Sequence, residues 1–377
     1  MRHKNSLPPT SLSLAKTGKP RIDTFDILKG IGILLMIIGH STGKMVWLRD
    51  FIFSFHMPLF FMISGYFFRP VPFGQQIVKN FKRLMIPYLF TALILALYAL
   101  AFAYAREQNL WDVLLVRLRA TLLGSGAPKV LGMGPSIGAI WFLAAMFWGL
   151  LWLNLAVRTR YPLLFCLFLS ALCFAIRDYV FLPLSFQPGT NATLFLYLGY
   201  EAKKQQLLPK LGYCTLAGLK QMFRPAQTGS STTAATLSEQ SSASSRPWIC
   251  VGVSLCLWYA SYMKGKLEMS CDFYKLWYFD MLAALCFTWI VYQLAHYLNG
   301  TASRLKRMLC FFGRYSLIVL CFHLMELNCM PWNKICPWDL GACWWPVLWM
   351  LKIVWAFLAV QLTLHTPFLR WIFQIKK

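Results

Sequence analysis

The chain has 377 residues, of which 58% are hydrophobic, 16% aromatic and only 13% charged, with a mean hydropathy of +0.53. That charged fraction is about half of what a water-facing surface of this size uses, so the composition argues against a soluble fold and for several bilayer-spanning helices. Lys and Arg number 37 against 13 Asp and Glu, yet they sit mostly in short loops beside apolar runs, which favours membrane orientation and attraction to anionic lipids over nucleic-acid binding.

Taken in chain order, residues 1–22 read as a basic cytoplasmic tail rich in Ser and Pro. No short apolar core with a small-residue cleavage site follows it, so no cleaved leader is expected. Runs of about 17–22 apolar residues, the length that crosses ~30 Å of hydrocarbon at 1.5 Å per residue, fall at 27–45, 51–68, 85–104, 138–157, 161–177, 190–202, 248–263, 274–297, 308–327 and 345–368, the sixth and seventh being the shortest. These predict an all-α polytopic integral membrane protein of about ten transmembrane helices, six in a first membrane part (23–202) and four in a second (248–377). Between them, 203–247 runs into T-G-S-S-T-T-A-A-T-L-S-E-Q-S-S-A-S-S-R, too polar to bury itself, and reads as a flexible cytoplasmic linker. In the connection 105–137, L-W-D-V-L-L-V-R-L-R-A-T-L-L alternates apolar and charged positions at near-helical spacing and predicts an interfacial amphipathic helix.

Charge orients this arrangement. Loops holding Arg69, Lys79, Lys82 and Arg83, then Arg158 and Arg160, then Lys203 and Lys204, then Arg304, Lys306 and Arg307 all fall on the side of the N-terminal tail. The other side holds roughly half as many, so the positive-inside rule predicts both termini in the cytoplasm. The twelve cysteines lack C-x-x-C or zinc spacing and read mostly as small buried apolar residues. Cys329, Cys336 and Cys343 lie in or beside one predicted external loop, where a disulfide stays open.

The chemistry-bearing residues begin with K-G-I-G-I-L-L-M-I-I-G-H, from Lys29 to His40. Eleven residues make roughly three turns, so both side chains share one helix face about 16 Å apart, with Asp26 one turn before Lys29. Snorkelling of Lys29 and a wet His40 at the far interface is the bland alternative. On the predicted topology His56, in S-F-H-M-P-L-F-F, and His323, in S-L-I-V-L-C-F-H-L-M-E with Glu326 one turn beyond, reach the same depth as His40. His3 lies in the tail, and His296 and His365 fall toward the inner side as packed or interfacial rings. An imidazole suits proton transfer near neutral pH, or brief carriage of a group as a nucleophile. Without H-E-x-x-H or close pairing, no metal is expected.

Two further stretches suit a ligand. In M-G-P-S-I-G-A-I-W-F-L, Gly and Pro let backbone approach a substrate and Trp141 offers a ring face for a sugar or acyl chain, or simply joins an aromatic belt. Lys79, Lys82 and Arg83 precede I-P-Y as a compact cationic loop, able to hold phosphates or merely obeying the positive-inside rule. No G-x-S-x-G, P-loop or dinucleotide fingerprint stands in a suitable context.

Four pieces in order, R-I-D-T-F-D-I-L-K-G-I-G-I-L-L-M-I-I-G-H, F-S-F-H-M-P-L-F-F-M-I-S-G-Y-F-F, I-W-F-L-A-A-M-F-W and F-G-R-Y-S-L-I-V-L-C-F-H, resemble the acyltransferase 3 family, and within it the fucose 4-O-acetylase-like branch. The resemblance covers about residues 21–327. It implies transfer of an acyl group, usually acetyl from cytoplasmic acetyl-CoA, to a glycan hydroxyl, in a bacterial inner membrane. The family's basic residue, ten intervening residues and histidine map onto Lys29 and His40, and its later helix-end histidine onto His323. On that implication Lys29, Asp26, Lys82 and Arg83 would meet the donor, and His40 would act as general base or transient acyl carrier. His323 or His56 would orient it, Glu326 would fix a tautomer or touch substrate, and Trp141 would meet the acceptor. Lys29 stands where Arg is common, which removes bidentate contact. The linker and the Cys- and Trp-rich stretch beyond 328 depart from the family pattern. The rival class is a transporter or flippase for a lipid-linked or acidic solute, and a homo-oligomer is left open.

Overall fold

The computed structural model describes residues 23–43, 45–126, 135–214, 246–265, 267–332 and 344–375. The expected tail, most of the expected linker, and Cys336 and Cys343 lie outside the described residues. Within them the chain is helical apart from one two-residue ladder.

In order the helices are α1 (Asp23–Gly39), α2 (Val46–Phe53), α3 (His56–Tyr66), α4 (Phe73–Asn80), α5 (Ile86–Tyr104) and α6 (Leu110–Leu123). Then come α7 (Trp141–Ala156), α8 (Pro162–Ile176), α9 (Phe186–Lys204), α10 (Leu207–Leu211) and α11 (Arg246–Lys264). A short ladder, β1 (Leu267–Glu268) with β2 (Phe273–Tyr274), pairs Leu267 with Tyr274 and Glu268 with Phe273 in antiparallel register. The chain ends in α12 (Tyr278–Asn299), α13 (Arg304–Arg314), α14 (Ser316–Cys329), α15 (Trp344–His365) and α16 (Pro367–Ile372).

Each of the ten apolar runs coincides with a helix or a broken helix pair. By length and composition, Val46–Tyr66, Phe73–Tyr104, Tyr278–Asn299 and Trp344–His365 are able to cross a membrane, and the pair α13–α14, bent by 78°, makes a fifth if taken as one span. The others fall short for physical reasons. Helices α7 and α8 are apolar but have only 16 and 15 residues. Helix α9 is long enough, but it buries Gln187, Thr190, Asn191 and Thr193 against its neighbours and is not apolar all round. Breaks are explained locally too. Pro58 removes a backbone donor and crowds the carbonyl four residues back, and the chain interrupts its helix at Ser54–Phe55.

Helix α1 sits at the centre, packed on α2, α3, α12, α13, α14 and α15. Glycines set how close its neighbours come. A Cβ on Gly30 would collide with the Leu309 carbonyl, and one on Gly313 with the Asp26 carbonyl, so this pair lets α1 and α13 touch backbone to backbone. Gly65 and Gly199 do the same for α3 against α9. The core around α1 includes Ile27, Met36, Ile37, Leu59 and Phe61, all fully buried.

Candidate active site

The helix of Lys29 continues through His40, whose amide donates to the Met36 carbonyl at 3.1 Å, so the expected shared face holds across all three turns. Acidic residues in its first turn suit the helix N-terminus. Lys29 Nζ lies 2.8 Å from Asp26 Oδ1, the i,i+3 pair that the spacing predicts.

Around Lys29 opens a cavity of about 620 Å³. Its charged lining comes from Lys29, Arg69, Lys79, Arg83, Lys203 and Arg314, against Asp26 alone among acids. Asn80 holds this wall in place, donating to the Phe147 carbonyl at 3.2 Å and accepting from Gln76 at 2.6 Å, which ties α4 to α7. Further in, the lining becomes apolar, with Ile33, Met36, Met57, Phe60 and Phe142. Met36 is one helical turn, roughly 6 Å, before His40.

At the other end of α1 the three histidines gather. The rings of His40 and His323 have centroids 5.9 Å apart, and Phe53 lies between His40 (5.0 Å) and His56 (4.9 Å). His40 is exposed, whereas His56 and His323 are buried. His56 Nδ1 is 2.9 Å from the Ile52 carbonyl, which fixes the proton on Nδ1 and leaves Nε2 as a buried lone pair with no hydrogen-bond partner among the described residues. His323 Nδ1 stands 3.4 Å from Glu326 Oε2.

Sequence reasoning missed the group that completes this end. Lys352, inside the apolar helix α15, places Nζ 2.7 Å from Glu326 Oε1, and Trp332 Nε1 donates to the same oxygen at 3.0 Å. A lone charge within a spanning run was the available signal, because an unpaired one costs about 3 kcal/mol at a helix centre.

Not every expected residue joins the site. Lys82 is exposed and does not line the cavity. Trp141 is buried, edge-on to Phe142 and packed against Gly126, and does not line the cavity either. His296 stacks on Tyr213 at 3.6 Å, and His365 is exposed at the end of α15. Cys329 is a free thiol. Among the described residues no group of three or more His, Cys, Asp or Glu assembles as a metal site.

Fold and site together define an all-helical integral membrane protein with a cation-lined cavity at one end of a central helix and a histidine cluster at the other. A family model described as "Acyltransferase domain" matches residues 22–373, and the chain belongs to this acyltransferase 3 family. It is 33% identical over 100 residues to Nodulation protein NolL of Sinorhizobium fredii (strain NBRC 101917 / NGR234), a match covering 22% of this chain and 27% of that protein. No solved structure matches.

Proposed function

We propose that the protein moves an acyl group, acetyl in the first instance, from cytoplasmic acyl-CoA to a hydroxyl of a glycan at the opposite membrane face. The observation that carries this reading is α1 itself, which joins a cavity rich in unbalanced cations to an exposed imidazole three turns away. A surplus of Lys and Arg in a recess attracts a polyphosphate body, and the apolar wall beyond it suits the uncharged pantetheine arm.

In the reaction, the acceptor oxygen forms a bond to the thioester carbonyl carbon and the carbon–sulfur bond breaks. As general base, His40 takes the hydroxyl proton and returns it to the departing thiolate, giving CoA-SH and the ester. As carrier, His40 forms an acyl-imidazole first, with CoA-SH released before the hydroxyl attacks. Both routes balance and both need the same ring.

This reading takes the basic end as cytoplasmic and the chain as ten spans with both termini inside, in the inner membrane of a bacterium, with anionic lipids at the basic face. Single cysteines introduced at Arg83 and at Asn328, in a variant whose twelve native cysteines are replaced by Ser or Ala, check the orientation. An impermeant thiol reagent added to intact cells should label the second and spare the first.

The activity test incubates membranes holding the protein with labelled acetyl-CoA and follows label into glycan or protein, with His40→Ala beside the wild type. Label in the wild type and none in the variant supports the reading. Equal transfer by both removes His40 from the mechanism.

A further inference from the structure

The run W-W-P-V-L-W-M-L-K-I-V-W carries its single charge, Lys352, into the interior of the bundle rather than out to an interface. Its side chain is 3% exposed and that of its partner Glu326 is 0% exposed. A lysine in a spanning helix usually bends its stem so that the ammonium reaches water. Here Nζ is instead held at Glu326 Oε1, with the Trp332 ring over it at 5.1 Å.

The two carboxylate oxygens of Glu326 are used differently. Oε1 takes both donors, the Lys352 ammonium and the Trp332 indole. Oε2 has no such donor and faces His323 Nδ1 at 3.4 Å. A carboxylate beside Nδ1 favours the tautomer with its proton there, leaving the Nε2 lone pair for another group. The His323 ring is 5.9 Å from that of His40, a separation just beyond a direct imidazole pair and short enough for one hydroxyl oxygen to bridge.

Resting on the proposed acyl transfer, we infer that Lys352 is a positioning residue for that reaction, acting through Glu326 on His323. By occupying Oε1 it keeps the carboxylate ionised and turned, so that Oε2 stays at Nδ1 and Nε2 of His323 is presented to the acceptor hydroxyl beside His40. Lys352 touches no substrate. Its effect belongs on turnover and not on donor binding, because the cation-lined cavity lies at the other end of α1.

A purely structural pin between α14 and α15 would use the same ion pair, and the test separates the two. Lys352→Met alone leaves a buried unpaired carboxylate and is expected to lower the membrane level of the protein. The double variant Lys352→Met/Glu326→Gln removes both charges and is expected to accumulate. Its kcat with labelled acetyl-CoA should remain about tenfold or more below wild type at unchanged donor KM. A kcat within about twofold of wild type overturns the positioning role. Should neither variant accumulate, Lys352→Arg decides, since it keeps a cation to pin α14 to α15 but changes the geometry of the donor at Oε1. A kcat lowered about threefold at unchanged KM supports the inference, and an unchanged kcat overturns it. A wild type that inserts normally yet transfers no label defeats the proposed function and this inference with it, an outcome distinct from a fully active double variant.

Discussion

The two ends of α1 treat charge in opposite ways. At the basic end the cations stand around open space, outnumber the single lining acid, and keep Lys29 partly solvated, with 24% of its side chain exposed. At the histidine end the Lys352 and Glu326 charges are buried and each has a fixed partner: Lys352 on Glu326, and Glu326 beside His323. An unbalanced, hydrated array can grip a flexible polyanion without demanding one geometry. A buried, fully assigned pair has no such tolerance, because breaking it leaves a charge without compensation, at a cost of about 3–5 kcal/mol. The first arrangement suits capture and the second orientation.

That contrast predicts different kinetic signatures. His40→Ala has the largest effect expected, a fall in kcat of about a thousandfold or more with a normal membrane level of protein, because it removes the proton acceptor or carrier itself. Steady-state transfer from labelled acetyl-CoA measures it, and a loss confined to KM would contradict the division between the ends. Lys29→Ala should raise the donor KM about tenfold while kcat stays within about twofold. A large kcat loss there would mean that Lys29 acts beyond capture. The neighbouring cations give a finer comparison. Arg83→Ala should raise donor KM about threefold, and Lys82→Ala, one position away in the sequence but outside the cavity, should leave it unchanged.

That last difference was legible in the sequence. Gln76, Lys79, Asn80 and Arg83 follow i, i+3, i+4 and i+7, one face of a helix, and Lys82 falls off that face. Grouping the three basic residues as a loop hid the periodicity. The Asp26–Lys29 and His323–Glu326 pairs were readable for the same reason, since each lies within one turn. Lys352 was not obtained, because counting apolar residues tolerates a single charge and its partner lies 26 positions away on another helix. Nor does spacing reveal that Phe53 sits between His40 and His56, or that 267–274 folds into a ladder before α12 begins, four residues later than expected. Those features depend on which helices meet, and local pattern carries no information about that.

The loop between α11 and α12 offers the smallest effect and extends the comparison to a buried acid that lacks a bonded cation. Asp272 is 1% exposed and accepts from Asn191 Nδ2 at 2.6 Å, while its second oxygen has no hydrogen-bond partner among the described residues. Arg177 stands near but donates to the Tyr274 carbonyl at 3.2 Å. Burial pushes the Asp272 carboxyl up to about 7, with the Asn191 hydrogen bond and the Arg177 charge opposing it. The unfolded chain holds an ordinary carboxyl near ~3.9, so folding takes up a proton between the two values. Stability contributed by the neutral acid is therefore full below about pH 4, declines as pH rises toward 7, and is gone above it. Asp272→Asn keeps the acceptor for Asn191 and cannot ionise. Its thermal midpoint in detergent should exceed that of the wild type by a few degrees at pH 8, on the order of 2–4 °C, and the advantage should vanish at pH 5. No advantage at pH 8, or a loss of stability there, would show that the carboxylate is satisfied in place, and that Asp272, like Glu326, has a charged partner after all.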